Sequence, residues 1–259
     1  MADTILIVPC FNEAARLTPE VFLEGLALEP RLALHFVDDG STDSTAEVLE
    51  AIRSRNPERV FVTSCGRNRG KSEAVRRGVL AALEQGPTLV GYWDADLATP
   101  LPEVSRFIAR FDAREHVQVV LGSRVRLLGH QIKRKASRHI FGRGFATVVS
   151  TMLSLHVYDT QCGSKLFRVG PELAAAFGEP FMSRWVFDVE LLVRLMGAWE
   201  AAGVEAADVI EELPLLSWKD VAGSKVSMFD AVKAIGEVAA IGQRYRRVLA
   251  ARRAHLSYD

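Results

Sequence analysis

Two aspartates one residue apart, Asp94 and Asp96, close the apolar run of GYWDADLATP (residues 91–100). Carboxylates at that spacing suit a hard divalent cation, Mg2+ or Mn2+, which takes one or two protein oxygens and completes its shell with water and substrate phosphates. Held there, the cation acts as a Lewis acid on a departing diphosphate. The competing chemistry is an aspartyl nucleophile followed two residues later by an acid. Phosphatases of that kind carry the pair on an early strand with Thr or Val two residues after the second Asp, where this chain has Ala98.

Three further polar stretches follow apolar runs: PCFNEAARL (9–17), DDGSTDST (38–45) and GRNRGKSEA (66–74). The adjacent carboxylates of Asp38 and Asp39 are costly unless donors reach them, and a nucleobase imide N–H or a ribose hydroxyl would serve. The same stretch also reads as a tight turn in which Asp43 or Ser44 caps the next helix. GRNRGKSEA is glycine-rich and basic at a helix start, a place that favours anions. Its glycines at 66 and 70 are one residue too close for the G-x-x-x-x-G-K-[ST] phosphate loop, which sets a phosphate-cradling NTPase aside.

These stretches need elements to position them. Short apolar runs (TILIV, LALHFV, VFVT, TLVGYW, VQVVLG) alternate with helical segments expected at Pro19–Leu28, Thr45–Arg55, Lys71–Gln85 and Leu101–Arg114. Thr18 before Pro19 is a helix-start signal, and Ala46, Leu49 and Ile52 recur at helical spacing. Strand alternating with helix predicts an α/β fold, a mostly parallel sheet flanked by helices. Ligands of such sheets bind beyond the carboxyl ends of the strands, so the four polar stretches are expected to converge on one crevice. After Gly122 longer helices take over, ending in an amphipathic helix from Ser227 to about Leu256 with an Arg-rich end. Its arginines suit docking onto the domain or an anionic membrane surface. The expected organisation is a domain over 1–225 and a helical tail over 226–259.

The 259 residues suffice for one large core, and a net charge of zero argues against a nucleic-acid partner. The charge is uneven, however. Between Glu115 and Asp159 there is no acidic residue, while Arg124, Arg126, Lys133, Arg134, Lys135, Arg138 and Arg143 all fall there. The apolar run Phe145–Leu155 beside them is too short to cross a bilayer. MADTILIV carries no basic leader or cleavage site, and Cys10, Cys65 and Cys162 read as free thiols. The expected location is the cytoplasm or the cytoplasmic face of a membrane.

IVPCFNEAARL, FVDDGSTDST, GRNRGKSEAVRRG and WDADLATP, in that order, resemble the inverting family 2 glycosyltransferases of the GT-A fold. LGSR (121–124), DTQCGSKLF (159–167), RWVFDVELL (184–192) and SWKDVAGSK (217–225) look like the dolichyl-phosphate glucosyltransferase branch, so the resemblance covers about residues 4 to 230. It implies that Pro9, Asn12, Glu13, Asp39 and Lys71 surround the nucleoside of a sugar nucleotide, with Asp94 near ribose and metal and Asp96 as the principal metal ligand. It further implies that Arg124, Arg138, Ser224 and Lys225 gather around an acceptor phosphate, a task suited to the planar fork of arginine. Asp159 and Gln161 are expected to shape the donor-sugar or acceptor site.

Asp188 and Glu190 lie on an otherwise apolar segment, where a buried carboxylate needs a partner; helix capping is the plain role for Asp188. The resemblance makes Asp188, and after it Glu190, the acceptor-side catalytic group. A sugar hydroxyl needs a general base, whereas a phosphate monoester is already an anion. Ala98 and Thr99 match glucosyl rather than mannosyl relatives, which favours UDP-glucose as donor. Eukaryotic relatives begin with a membrane-spanning helix that is not seen here. That leaves peripheral attachment through residues 138–156 and 227–256, or a soluble acceptor. The expected activity is transfer of a hexose from UDP-glucose to a polyprenyl phosphate. The alternatives are a saccharide or alcohol hydroxyl as acceptor, or a non-catalytic nucleotide-sugar-binding subunit.

Overall fold

The computed structural model describes residues 2–133, 136–221 and 228–256. In chain order it forms β1 (Thr4–Cys10), α1 (Pro19–Leu28), β2 (Leu32–Asp38), α2 (Thr45–Arg55), β3 (Val60–Ser64), α3 (Lys71–Leu83) and β4 (Leu89–Trp93). Then come α4 (Val104–Ala113), β5 (Val119–Ser123), β6 (Gln131–Lys133), α5 (Ala136–Leu153), β7 (Ser164–Arg168), α6 (Pro171–Gly178) and α7 (Phe187–Ala201). The chain closes with α8 (Ala206–Val209), β8 (Ile210–Pro214), β9 (Ser217–Lys219), α9 (Met228–Arg244) and α10 (Arg246–Leu256).

Seven strands make one sheet in the order β3-β2-β1-β4-β7-β5-β8, parallel except for β7, which runs antiparallel to both β4 and β5. That reversal brings the start of β7 to the same edge as the ends of the other six. β1 and β4 are almost wholly apolar because helices cover both faces. Along β1, Ile5 and Ile7 face a core shared with α3, α6 and α7, while Leu6 and Val8 face another shared with α1, α2 and α4. β6 and β9 form a separate two-stranded ribbon.

Several expectations shift by a residue or a turn. The fourth helix begins at Val104, after a 3-10 turn over Leu101–Glu103. Thr18 holds the extended backbone of a cap, but its side chain makes no cap bond; at α2 it is Asp43 whose Oδ1 accepts from Thr45 N at 3.0 Å. Thr45, not Ala46, completes the buried face of α2 with Leu49 and Ile52. The single terminal helix is in fact two, α9 and α10, parted at Tyr245. Both dock: Val238, Ile241 and Leu249 are buried in the core that contains α7. Arg252, only 2 % exposed, donates to Leu153 O at 3.0 Å and pairs with Glu205 at 2.7 Å. A cation there meets the carbonyls left open at the end of α5. Among the described residues no helix is long and apolar enough to cross a membrane.

Candidate active site

Parallel pairing sets Cys10 beside Asp38 and Asp38 beside Ser64, so the first three polar stretches leave the sheet side by side. Asp38 accepts from Ser41 N at 2.9 Å and from Ser41 Oγ at 2.5 Å. Asp39 accepts from Arg69 N at 2.9 Å and Gly70 N at 2.7 Å. The two carboxylates therefore find their donors within the chain. Asp39 thereby ties the 66–70 loop across the crevice. Burial pushes the Asp39 carboxyl up, against the two amides and the nearby Arg184. Arg184 itself lies with its side-chain carbons against Gly70, over the same loop.

Asn12, at a φ of 53°, accepts from Thr42 N through Oδ1 at 2.8 Å and donates from its own N to Ser41 Oγ at 3.0 Å. Glu13 donates from N to Thr45 Oγ1 at 2.9 Å, and its carboxylate pairs with Arg16. Pro9 sits half-buried in β1, paired with Val37. These contacts knit the 9–17 and 38–45 stretches into one wall.

Antiparallel pairing of Trp93 with Ser164 brings the 159–163 segment against the aspartate pair, and Asp94 N donates to Gly163 O at 3.0 Å. A Cβ at 163 would lie 1.8 Å from Asp94 Oδ2, so glycine is required for the carboxylate to rest there. Leu97 adopts a φ of 49°, a conformation costly for a branched side chain and concentrated at functional sites. That turn lets Asp96 Oδ1 accept from Ala98 N at 3.0 Å. Lys71 Nζ lies 2.5 Å from Asp94 Oδ1. Burial alone would lower the Lys71 pKa, but Asp94, Asp188 and Asp96 outweigh it and the net shift is upward. Burial first, then Asp94, pushes the Asp96 carboxyl up.

This donor set fits a divalent cation. Asp94 and Asp96 offer hard oxygens from one turn, and Asp96 has no ion-pair partner among the described residues. Two carboxylates with no third side-chain ligand grouped beside them among the described residues suit Mg2+ or Mn2+, which keep places for substrate oxygens.

Across the crevice, Asp188 in the first turn of α7 is buried; its Oδ1 lies 2.6 Å from Lys165 Nζ and accepts from Tyr92 OH. Lys165, buried in β7, also donates to Cys162 O at 2.5 Å. Neither Lys165 nor Tyr92 stood out in the sequence, although a lysine inside the apolar strand SKLF already signalled a buried counter-charge. Arg184 was likewise passed over.

Glu190, the second catalytic candidate, lies apart from Asp188. Two residues along a helix is about 200° of turn, so Asp188 and Glu190 point to different sides. Glu190 is fully buried and accepts from Met182 N (2.7 Å), Arg194 Nη2 (2.7 Å) and Tyr245 OH (2.9 Å). It clamps the 181–186 loop and the α9–α10 junction.

Arg124 and Asp159 come together as a bidentate pair, Nε and Nη2 donating at 2.6 and 2.7 Å. The guanidinium faces a carboxylate, and Asp159 raises its pKa against burial. Gln161 N donates to Asp159 Oδ1 at 3.2 Å, placing Gln161 beside that pair. Glu212 supports the segment by accepting from Tyr158 N at 2.7 Å and Asp159 N at 2.8 Å, and it lines a cleft of about 290 Å3 with Arg143 and His156. Ser224 and Lys225 lie outside the described residues, as does the side chain of Arg138 in α5.

Residues 5–172 match the family model for glycosyl transferase family 2. The chain is 30% identical to a dolichyl-phosphate beta-glucosyltransferase of Dictyostelium discoideum, over 87% of this chain and 69% of that one. For the Drosophila melanogaster enzyme of that name the identity is 34%, over 86% and 69%. For the Saccharomyces cerevisiae one it is 29%, over 93% and 74%. Among solved structures, glucosyl-3-phosphoglycerate synthase from Mycobacterium tuberculosis, in complex with Mn2+ and UDP-glucose, superposes with a TM-score of 0.67 at 18% identity, covering 93% of this chain and 79% of that one. The UDP complex of the same enzyme gives 0.66 at 19%, covering 93% and 80%. That likeness carries the fold, GT-A as expected. The identities to the three transferases carry the family: this chain is a glycosyltransferase belonging to glycosyl transferase family 2, on the dolichyl-phosphate beta-glucosyltransferase branch.

Proposed function

We propose that the protein transfers glucose from UDP-glucose to a polyprenyl phosphate with inversion at the anomeric carbon, at the cytoplasmic face of a membrane. The observation that carries the acceptor class is the state of Asp188. The carboxylate expected to serve as base is held in an ion pair with Lys165 and hydrogen-bonded by Tyr92. Oδ1 of that carboxylate is occupied by these two partners, and a phosphate monoester needs no base. The names of the relatives at about 30% identity support the same acceptor, and the UDP-glucose bound by the structural neighbour supports the donor.

The reaction on this reading is a single displacement. An acceptor phosphate oxygen forms a bond to the anomeric carbon, the bond from that carbon to the diphosphate oxygen breaks, and UDP departs with the electron pair. Asp94 and Asp96 would hold a divalent cation, which would supply positive charge to the departing diphosphate. Lys71 holds Asp94 in place, and the loop tied down by Asp39 closes the nucleotide side of the crevice. Arg124, fixed by Asp159, orients the acceptor side through geometry already formed before binding.

The test is incubation with radiolabelled UDP-glucose, Mn2+ and a short-chain polyprenyl phosphate in mild detergent, with counting of the organic phase with and without EDTA. Label in that phase, lost with EDTA, is the expected result; label only as free glucose would overturn the acceptor. In the same assay Asp188→Asn should keep transfer within about tenfold. A loss of about 100-fold or more, the scale of general-base catalysis, would favour a hydroxyl acceptor.

A further inference from the structure

We infer that the β6–β9 ribbon and the loop leading into it form a docking surface for an anionic phospholipid bilayer; the inference rests on the lipid-acceptor reading above and gives it a membrane contact. β6 and β9 pair in parallel register with Ile132 opposite Trp218, both buried, and Lys133 opposite Lys219, both exposed. Like charges directly opposite one another destabilise a strand pair unless something neutralises them. Neither lysine has an ion-pair partner among the described residues, and the neighbouring acid, Asp220, is half-buried and joins the ribbon through its N–H to Lys133 O at 3.1 Å.

Apolar side chains stand beside these two exposed lysines. Leu127, Leu128 and Leu216 are all exposed, Leu128 completely. Backbone bonds from His130 N to Leu127 O at 3.1 Å and from Gln131 N to Leu216 O at 2.7 Å hold the three at one end of the ribbon. Leucines next to exposed lysines are the composition that partitions into the boundary of an anionic bilayer, the apolar groups entering and the cations meeting headgroup phosphates.

The surface is also continuous with the site. The leucine loop begins at Arg124, directly after β5, and the Arg124 guanidinium lies 5.4 Å from the centre of the Trp218 ring in β9. A bilayer touching the ribbon would thus present a lipid phosphate beside the Arg124–Asp159 pair. This face differs from the amphipathic helices expected to meet a membrane, of which Val238, Ile241 and Leu249 are taken up by the core.

The test is sedimentation of the full chain with vesicles of phosphatidylcholine containing one-third phosphatidylglycerol, against vesicles of phosphatidylcholine alone. The variants are Lys133→Gln/Lys219→Gln and Leu127→Ser/Leu128→Ser, with thermal melting as the check of folding and transfer to a short-chain acceptor in detergent as the check of the site. The wild type should bind the anionic vesicles preferentially and release in high salt. The lysine pair should weaken binding about fivefold per charge removed. The leucine variant should lose binding, with melting and detergent activity unchanged in both. Equal binding by the variants, or no preference of the wild type for anionic vesicles, overturns the docking surface. Should vesicle binding behave as expected while no short-chain acceptor is glucosylated, the surface stands and the acceptor assignment falls.

Discussion

Lys71 Nζ lies 2.5 Å from Asp94 Oδ1, so the first carboxylate of the aspartate pair carries a counter-charge while Asp96 has only the amide of Ala98. Both groups hold their proton more tightly in the folded chain, so each loses stability as pH rises, Asp96 in the acid range and Lys71 in the alkaline one. Lys71 is raised above 10.5, so its stabilising charge is fully present below that value and lost only as pH rises through the folded pKa. Asp96 is raised above 3.8, so its ionised form costs stability above the folded pKa, and the cost is absent below 3.8. Lys71 is one of the charges that hold Asp96 down. In Lys71→Met, Mn2+ binding followed by calorimetry should therefore fall off at a higher pH than in the wild type, because the ligand must be deprotonated. An unchanged midpoint would refute the coupling.

Asp96→Ala removes the half-buried carboxylate on which metal chemistry is expected to depend. Loss of several kcal/mol of charge stabilisation corresponds to a fall in kcat of about a thousandfold. Melting temperature should hold or rise, because a desolvated charge is gone. Turnover within tenfold of wild type, or full activity in EDTA, would contradict the metal assignment.

Lys165 and Asp188 are a buried pair, and Lys165→Met leaves the carboxylate without its cation. Urea denaturation should show a loss of about 3 to 5 kcal/mol. Lys165→Met/Asp188→Asn should recover much of it, since both charges are then absent. Additive losses would mean that the two side chains act independently.

Glu190 is assigned to architecture, so Tyr245→Phe and Glu190→Gln test the same clamp from both ends. Each should cost about 1 to 3 kcal/mol of stability by leaving buried polar groups unpaired. kcat of the folded variants should stay within about threefold of wild type, an effect below 1 kcal/mol. A collapse of kcat in Glu190→Gln without a stability change would return Glu190 to the reaction.

The alternation of apolar runs and helical segments was enough to specify the sheet, because strands buried on both faces leave an unmistakable pattern; α1 and α2 have the limits their residues predicted. The aspartate pair at the end of β4 and the polar stretches after β1, β2 and β3 were legible for the same local reason: a chain leaving a strand end carries its own chemistry there. What no local pattern could tell was which charges would meet. Lys165 reaches Asp188 only because β7 runs antiparallel beside β4, and Arg124 reaches Asp159 across 35 residues of chain. The break at Tyr245 likewise depends on Glu190 and Arg194 of α7. Sequence by itself determined the elements, the crevice and the family, because periodicity and motif order are properties of neighbouring residues. The pairing of buried charges, and with it the role of each carboxylate, was decided by the tertiary structure, because a charge out of water takes whatever partner packing brings within reach.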